Sequence, residues 1–237
     1  MKLFGYAGTM HNNSVTESYI KDIANKLTEG GIVTDSTIMT GLTAPTSMCR
    51  GCVQCFSNGI CPNDKLDSMK DIKQELMDSD IIILGSPVYV HGVTATMKNV
   101  IDRLAIWMYM CNLCGKTAIT VSTATSNGNI FVDRYLSKIL GIMGANVAYQ
   151  FSVTATEGKE IIENKLNECC TKVQDALKNG ITEPDKIQES YFLANKKLFS
   201  NENLKHFIRD AWLEKGFFEY DDYMSLFNDR MKKEIIR

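Results

Sequence analysis

Four consecutive apolar residues, Ile81-Ile82-Ile83-Leu84, lie between Asp80 and the breaker Gly85-Ser86-Pro87. A strand sends alternate side chains to opposite faces. An unbroken apolar run therefore needs cover on both faces, as at the centre of a parallel sheet. The flanking sequence fits that demand. Lys2–Ala7 reads as a short buried strand and Gly8–Ser14 as a polar loop. Val15–Glu29 reads as a helix, with Ile20, Ile23, Ala24 and Leu27 recurring at three and four residues before Gly30-Gly31. Ile32–Met39 alternates like an edge strand, and Leu66–Met77 is a helix. After the central strand, Asp80–Gly85, come a helix at Thr94–Met110, a strand at Lys116–Ser122 and a helix at Ser126–Met143. A strand at Ala145–Thr154 and a helix at Gly158–Lys178 follow. Five strands alternating with helices predict an α/β fold, a doubly wound parallel sheet with right-handed crossovers. Ligands of such sheets bind outside the carboxyl ends of the strands.

Two stretches depart from this rhythm. Residues 40–65 form a long irregular segment with four of the eight cysteines, and loops of that length inside a compact domain are usually functional. Residues 181–237 hold about half of the aromatics, among them Tyr191, Phe192, Phe199, Phe207, Trp212, Phe217, Phe218, Tyr220, Tyr223 and Phe227. We read them as a helical carboxyl-terminal extension to a domain at 1–180. Its aromatics are expected to pack on the core or on a second subunit, the alternative being a lid over the site.

Residues with 44% hydrophobic and 23% charged character can bury a substantial core, and a net charge of -2 gives no basic surface for nucleic acid or anionic membrane. The apolar part of Lys2–Ala7 is too short for a signal peptide, and no stretch approaches a membrane span. A cytoplasmic location is the expectation. In a reducing compartment, closely spaced cysteines point to metal or redox chemistry rather than disulfides.

The loop after the first strand leads into a helix amino terminus, where unpaired N–H groups and the dipole favour an anion. Thr9, Asn13, Ser14 and Thr16 add short donors, with His11 and Val15 in the same segment. There is neither a Walker lysine nor a G-x-G-x-x-G, so an NTP loop and a dinucleotide fingerprint are unsupported. A hydroxyl-rich loop of this kind suits a terminal phosphate monoester. The plainer reading is that Asn13 or Ser14 only caps the helix.

Cys49-Arg50-Gly51-Cys52-Val53-Gln54-Cys55 is a C-x2-C-x2-C run, and Cys61-Pro62 follows after five residues. Cysteines at steps of three can wrap a cubane, and the long spacer lets Cys61 fold back to the same cluster. Zinc is the chemical competitor, although structural zinc sites more often use two separated C-x2-C knuckles. A third reading leaves the thiols without metal. Cys111 and Cys114 form another C-x2-C, in a context unlike that of a thioredoxin motif, and read as buried thiols. Cys169 and Cys170 are adjacent in a helix and point about 100° apart.

Gly85-Ser86-Pro87-Val88-Tyr89-Val90-His91-Gly92, with Met97-Lys98-Asn99-Val100-Ile101-Asp102-Arg103 after it, resembles the iron–sulfur flavoprotein and NADPH-dependent FMN reductase branch of the flavodoxin-like superfamily. The resemblance covers about residues 1–180. It implies strand order 2-1-3-4-5 and FMN as cofactor. Ser86, Pro87, Val88, Tyr89 and Val90 would run along the isoalloxazine ring. The loop at 123–128, through Thr123, Thr125 and Gly128, would approach from the next strand. It also implies a [4Fe-4S] cluster on Cys49, Cys52, Cys55 and Cys61. A homodimer or homotetramer follows from the same resemblance, with Trp107, Met108, Tyr109 and Met110 as interface candidates beside a core-packing alternative.

The reading of function is an FMN-dependent oxidoreductase or electron-transfer flavoprotein in which the cluster relays electrons. Its donor or acceptor is a small molecule or protein, NAD(P)H among them. No side chain is assigned as catalytic, because the cofactor carries the chemistry. The alternatives are an NAD(P)H-dependent FMN or quinone reductase without a cluster, and a non-catalytic metal-bearing binding module.

Overall fold

The computed structural model describes residues 1–183, 185–203 and 206–235. Pro184, Leu204, Lys205, Ile236 and Arg237 of the expected extension lie outside the described residues. The elements are β1 (Lys2–Ala7), α1 (Val15–Glu29), β2 (Asp35–Thr40), α2 (Gln54–Asn58), α3 (Met69–Asp78), β3 (Ile81–Pro87), α4 (Ala95–Arg103), α5 (Trp107–Met110), β4 (Thr117–Ala124), α6 (Asn129–Ile142), β5 (Asn146–Thr154), α7 (Lys159–Asn179), α8 (Lys186–Phe199), α9 (Phe207–Glu214) and α10 (Tyr223–Ile235). The strands form one parallel sheet in the order β2-β1-β3-β4-β5, the flavodoxin-like arrangement.

Side-chain alternation divides the core into two layers. Leu3, Ile81, Ile83, Ile119 and Val121 pack with Ile20, Ile23 and Leu27 of α1 and Val173 of α7. Phe4, Tyr6, Ile82, Leu84 and Ala118 face the other way, against α3, α4 and α6. Burying both faces of β3 explains its unbroken apolar run.

The second layer continues into the carboxyl-terminal helices. Phe192, Phe199, Trp212, Phe217, Tyr223 and Phe227 are buried in the same cluster as Phe4 and Leu84. Phe192 stacks on Trp212 with ring centroids 5.4 Å apart. The extension aromatics therefore pack on the core. They also cover the proposed interface segment: Trp212 Nε1 donates to the Tyr109 carbonyl at 2.7 Å, and Lys215 Nζ donates to that of Met110 at 3.1 Å. Trp107 itself is buried. Met108, Tyr109 and Met110 are half-buried and pack against the same cluster.

Two expected boundaries change. The helix at Thr94–Met110 is broken, because the N–H of Leu104 is shared between the Val100 and Ile101 carbonyls and Ala105 bonds back to Asp102. These tightened turns end α4 at Arg103 and start α5 at Trp107. The 40–65 segment carries α2 and a short 3-10 turn at Pro62–Lys65.

Candidate functional site

The carboxyl ends of β1, β3, β4 and β5 surround one cavity of about 420 Å³. Thr9, His11, Asn13, Ser14, Val15 and Thr16 line it from the first loop, Pro87, Val88 and Tyr89 from the third strand, and Thr123 and Thr125 from the fourth. The three loops singled out in the sequence thus meet at one rim.

Ser14 is the N-cap of α1, yet its side chain accepts no hydrogen bond from the first-turn N–H groups. Those donors stay open to an anion. The Ser14 side chain is buried but not used as a cap, which answers the capping alternative. Asn13 adopts φ 57°, a left-handed conformation that asparagine tolerates. Thr9 Oγ1 accepts from the backbone N–H of His11 at 3.2 Å, bending the loop around the cradle. Thr16 Oγ1 lies 2.6 Å from Thr123 Oγ1, so the first turn of α1 is tied to the end of β4.

The segment after β3 makes a tight turn. The N–H and carbonyl of Tyr89 pair with those of Gly92, with Val90 at φ 51° and His91 at φ 57°. Two consecutive left-handed residues match a type I′ turn, and a β-branched residue there is strained. His91 stacks on Phe131 at 5.1 Å, and its Nε2 lies 2.9 Å from Asn127 Oδ1. This joins the turn to the loop after β4. Tyr89 is 64% exposed, so it is a surface ring beside the cavity rather than a core aromatic.

Three candidates sit behind or outside the wall. Ser86 is fully buried; its hydroxyl accepts from the Thr94 N–H at 3.0 Å and donates to the Pro87 carbonyl at 2.9 Å. It shapes the turn from beneath. Val90 stands at the turn tip, fully exposed. Gly128, at φ 95°, is close-packed: a Cβ there would lie 2.8 Å from both His91 Cδ2 and Val88 Cγ1.

The wall also includes residues that the sequence reading did not assign to the site: Tyr19, Val153, Thr154, Ala155, Glu157 and Ile162. The signal available was positional, since the end of the fifth strand must reach the same rim. Burial pushes the Glu157 carboxyl up, but hydrogen bonds from Lys165 and the Thr154 N–H outweigh it and hold the group below its usual range. Lys165 Nζ is 2.5 Å from Glu157 Oε2 and also donates to the Ser152 carbonyl at 2.6 Å.

A second cavity, of about 380 Å³, is lined by Cys49, Cys52, Cys55 and Cys61 together. All four thiols are free. Gly51 at φ 63° and Val53 at φ 53° turn the backbone between them. Among the described residues no three His, Cys, Asp or Glu side chains are gathered closely enough to hold a single metal ion. The loop is held by α4. Asn99 Oδ1 accepts from the Cys49 N–H at 2.9 Å, and Asn99 Nδ2 donates to Thr46 Oγ1 at 2.9 Å. Arg103, one turn later, bonds Ser47, Asp64 and Asp67. The other four do not line this cavity: Cys111, Cys114 and Cys169 are buried and Cys170 is half-buried.

Residues 1–160 match the family model described as NADPH-dependent FMN reductase. An iron-sulfur flavoprotein of Archaeoglobus fulgidus is 30% identical over 177 residues, covering 71% of this chain and 79% of that protein. An FMN-dependent NADH:quinone oxidoreductase of Francisella philomiragia is 28% identical over 145 residues, covering 52% and 71%. In fold, the chain is similar to the apo form of an NADH:FMN oxidoreductase. The TM-score is 0.56 at 17% identity, over 77% of this chain and 91% of the other. A flavodoxin-type protein of Agrobacterium tumefaciens gives 0.51 at 13% identity, over 75% and 97%. No described helix is long and apolar enough to cross a membrane.

Proposed function

Because this chain belongs to the NADPH-dependent FMN reductase family, we propose that it is an iron–sulfur flavoprotein, a flavin oxidoreductase whose cysteine loop carries a [4Fe-4S] cluster. The observation that carries the flavin part is the convergence of three strand-end loops on one cavity. The open first-turn N–H groups of α1, with Ser14, Thr16 and Thr9, would hold the phosphate. Pro87, Val88 and Tyr89 would flank the ring on one side, and Thr123 and Thr125 on the other. Bound FMN supplies hydride and single-electron chemistry; the chain binds it, orients it and limits its exposure to water.

The cluster part rests on four free cysteines lining one cavity. A single tetrahedral zinc with Zn–S near 2.3 Å needs thiolates about 3.8 Å apart. A cubane holds its thiolates further apart, so a cavity between them suits the larger group. Cys49, Cys52, Cys55 and Cys61 would be its ligands. NAD(P)H is the proposed electron donor, with a quinone or a redox protein as acceptor. Assembly as a homodimer or homotetramer belongs to the same reading.

The second reading is an NAD(P)H-dependent FMN or quinone reductase without a cluster. The similarity to an FMN-dependent NADH:quinone oxidoreductase favours it.

Anaerobically purified protein separates the two by its absorption spectrum with iron and sulfide assay. Flavin bands with iron and sulfide support the first reading; flavin bands alone select the second. Cys52→Ala is expected to lose iron and keep FMN. Absence of flavin from protein refolded with FMN overturns both.

A further inference from the structure

Arg103 lines the cysteine cavity with its side chain enclosed; the residue is 2% exposed. A guanidinium has five N–H donors in a fixed fork. Those on Nη1 reach the Ser47 carbonyl at 2.9 Å and Asp67 Oδ2 at 2.8 Å. Those on Nη2 reach Asp64 Oδ1 at 2.8 Å and Asp67 Oδ1 at 3.3 Å. Of its donors, only the Nε–H has no partner among the described residues. Buried donors are nearly always matched, and an unmatched one beside a cavity calls for a group that is not part of the polypeptide.

We propose that the Arg103 Nε–H donates a hydrogen bond to a sulfur of the group held by Cys49, Cys52, Cys55 and Cys61, and that Arg103 thereby sets its reduction potential. The proposal rests on the cluster reading above. Reduction adds an electron to the cluster, and a fixed cation with an N–H directed at sulfur stabilises the added charge. Hydrogen bonds to the sulfurs and local charge are what set the potentials of such clusters. Arg103 cannot swing away to lose this contact, because Asp64, Asp67 and Ser47 hold its other nitrogens.

The same helix reaches the flavin cavity. Its N-cap, Thr94, accepts from the Met97 N–H at 3.1 Å, and its own N–H donates to Ser86 Oγ behind the ring loop. The nine residues of α4 span about 13 Å. One rigid rod thus carries the turn that faces the flavin at its start, Asn99 on the cysteine loop one turn before its end, and Arg103 at its end.

The test uses full-length protein purified anaerobically, with iron assay and spectroelectrochemical titration. Arg103→Lys keeps a cation beside Asp64 and Asp67 but lacks the Nε–H. It is expected to retain iron and FMN and to show a lower cluster potential. Asn99→Ala loosens the same loop and leaves the donor in place; its loaded fraction is expected to titrate at the wild-type potential. An Arg103→Lys potential equal to wild type overturns the proposal, as does an equal fall in Asn99→Ala. A second measurement leaves Arg103 intact. Protein labelled with ¹⁵N at arginine Nε, in an Arg50→Lys background, is reduced and examined by pulsed EPR. A ¹⁵N coupling to the cluster is expected, and its absence overturns the proposal even if Arg103→Lys fails to load. Wild-type protein without iron and sulfide sinks the cluster reading and this inference together. Iron and sulfide with an unmoved potential sink the role of Arg103 alone.

Discussion

The hydroxyls of Thr16 and Thr123 lie 2.6 Å apart across 107 residues of sequence. One stands in the first turn of α1 and the other at the end of β4, so this buried contact joins the proposed phosphate cradle to the loop at 123–128. Thr16→Val removes it and leaves the Thr123 hydroxyl without that partner. A net loss of about 1 kcal/mol is typical for such a bond, which corresponds to about fivefold in affinity. FMN titrated into apo-protein, followed by flavin fluorescence quenching, is expected to show weaker binding of that order. An unchanged Kd would separate the two loops functionally.

Gly8 has no room for a side chain. A Cβ there would lie 2.5 Å from Met97 Cβ and 3.1 Å from Met97 Cα. The second contact is with backbone, so the neighbour cannot rotate aside. Gly8→Ala is expected to cost about 1–3 kcal/mol, read from the urea midpoint of the apo-protein. A wild-type midpoint would mean that α4 shifts freely against β1.

Val90 holds φ 51° with its side chain in solvent. Asparagine adopts the left-handed region more readily than a β-branched residue. Val90→Asn is expected to raise stability by about 0.5–1 kcal/mol, within the 1–2 kcal/mol such a conformation costs. Thermal unfolding checks it, and a lower Tm contradicts it.

Burial raises the Asp67 carboxyl, but hydrogen bonds from Arg103, Ser47 and the Met69 N–H outweigh that and hold it well below the usual carboxylate range. A carboxyl depressed on folding contributes stability above its unfolded pKa, about 3.9, and loses it as pH falls through the lower folded value. Asp67→Asn is therefore expected to destabilise at pH 7 by about 1–3 kcal/mol. The gap should narrow below about pH 4. Denaturation at pH 7 and at pH 3 decides it: a gap that stays constant removes Asp67 as the titrating group.

Trp212 is fully enclosed among Phe192, Phe199, Phe217 and Phe218. Trp212→Ala is expected to cost about 3–5 kcal/mol in a single cooperative transition. A two-step melt with the first step near wild type would mean that the extension unfolds apart from the sheet.

Much of the site was legible because local patterns fix it. Thr9 through Thr16 had to follow a strand and open a helix, and Pro87 through Tyr89 had to end the apolar run at Leu84. Glu157, Tyr19 and Arg103 were not legible. Glu157 reaches the cavity only because β5 lies beside β4, and Tyr19 only because α1 turns that face toward the rim. Arg103 reads on its own as a basic residue near the end of a helix. Its burial follows from Asp64 and Asp67, which belong to a different loop.

The alternation of five strands with helices, the apolar faces and the grouping of four cysteines are all written in the order of residues along the chain. Periodicity and spacing are local properties of the chain, and short-range sterics and hydrophobic burial enforce them. Long-range packing stops α4 at Arg103, lays the carboxyl-terminal aromatics over Tyr109, and leaves the Arg103 Nε–H without an acceptor among the described residues. Those outcomes depend on which distant segments meet, and that is set by how the layers pack against one another rather than by any run of neighbouring residues.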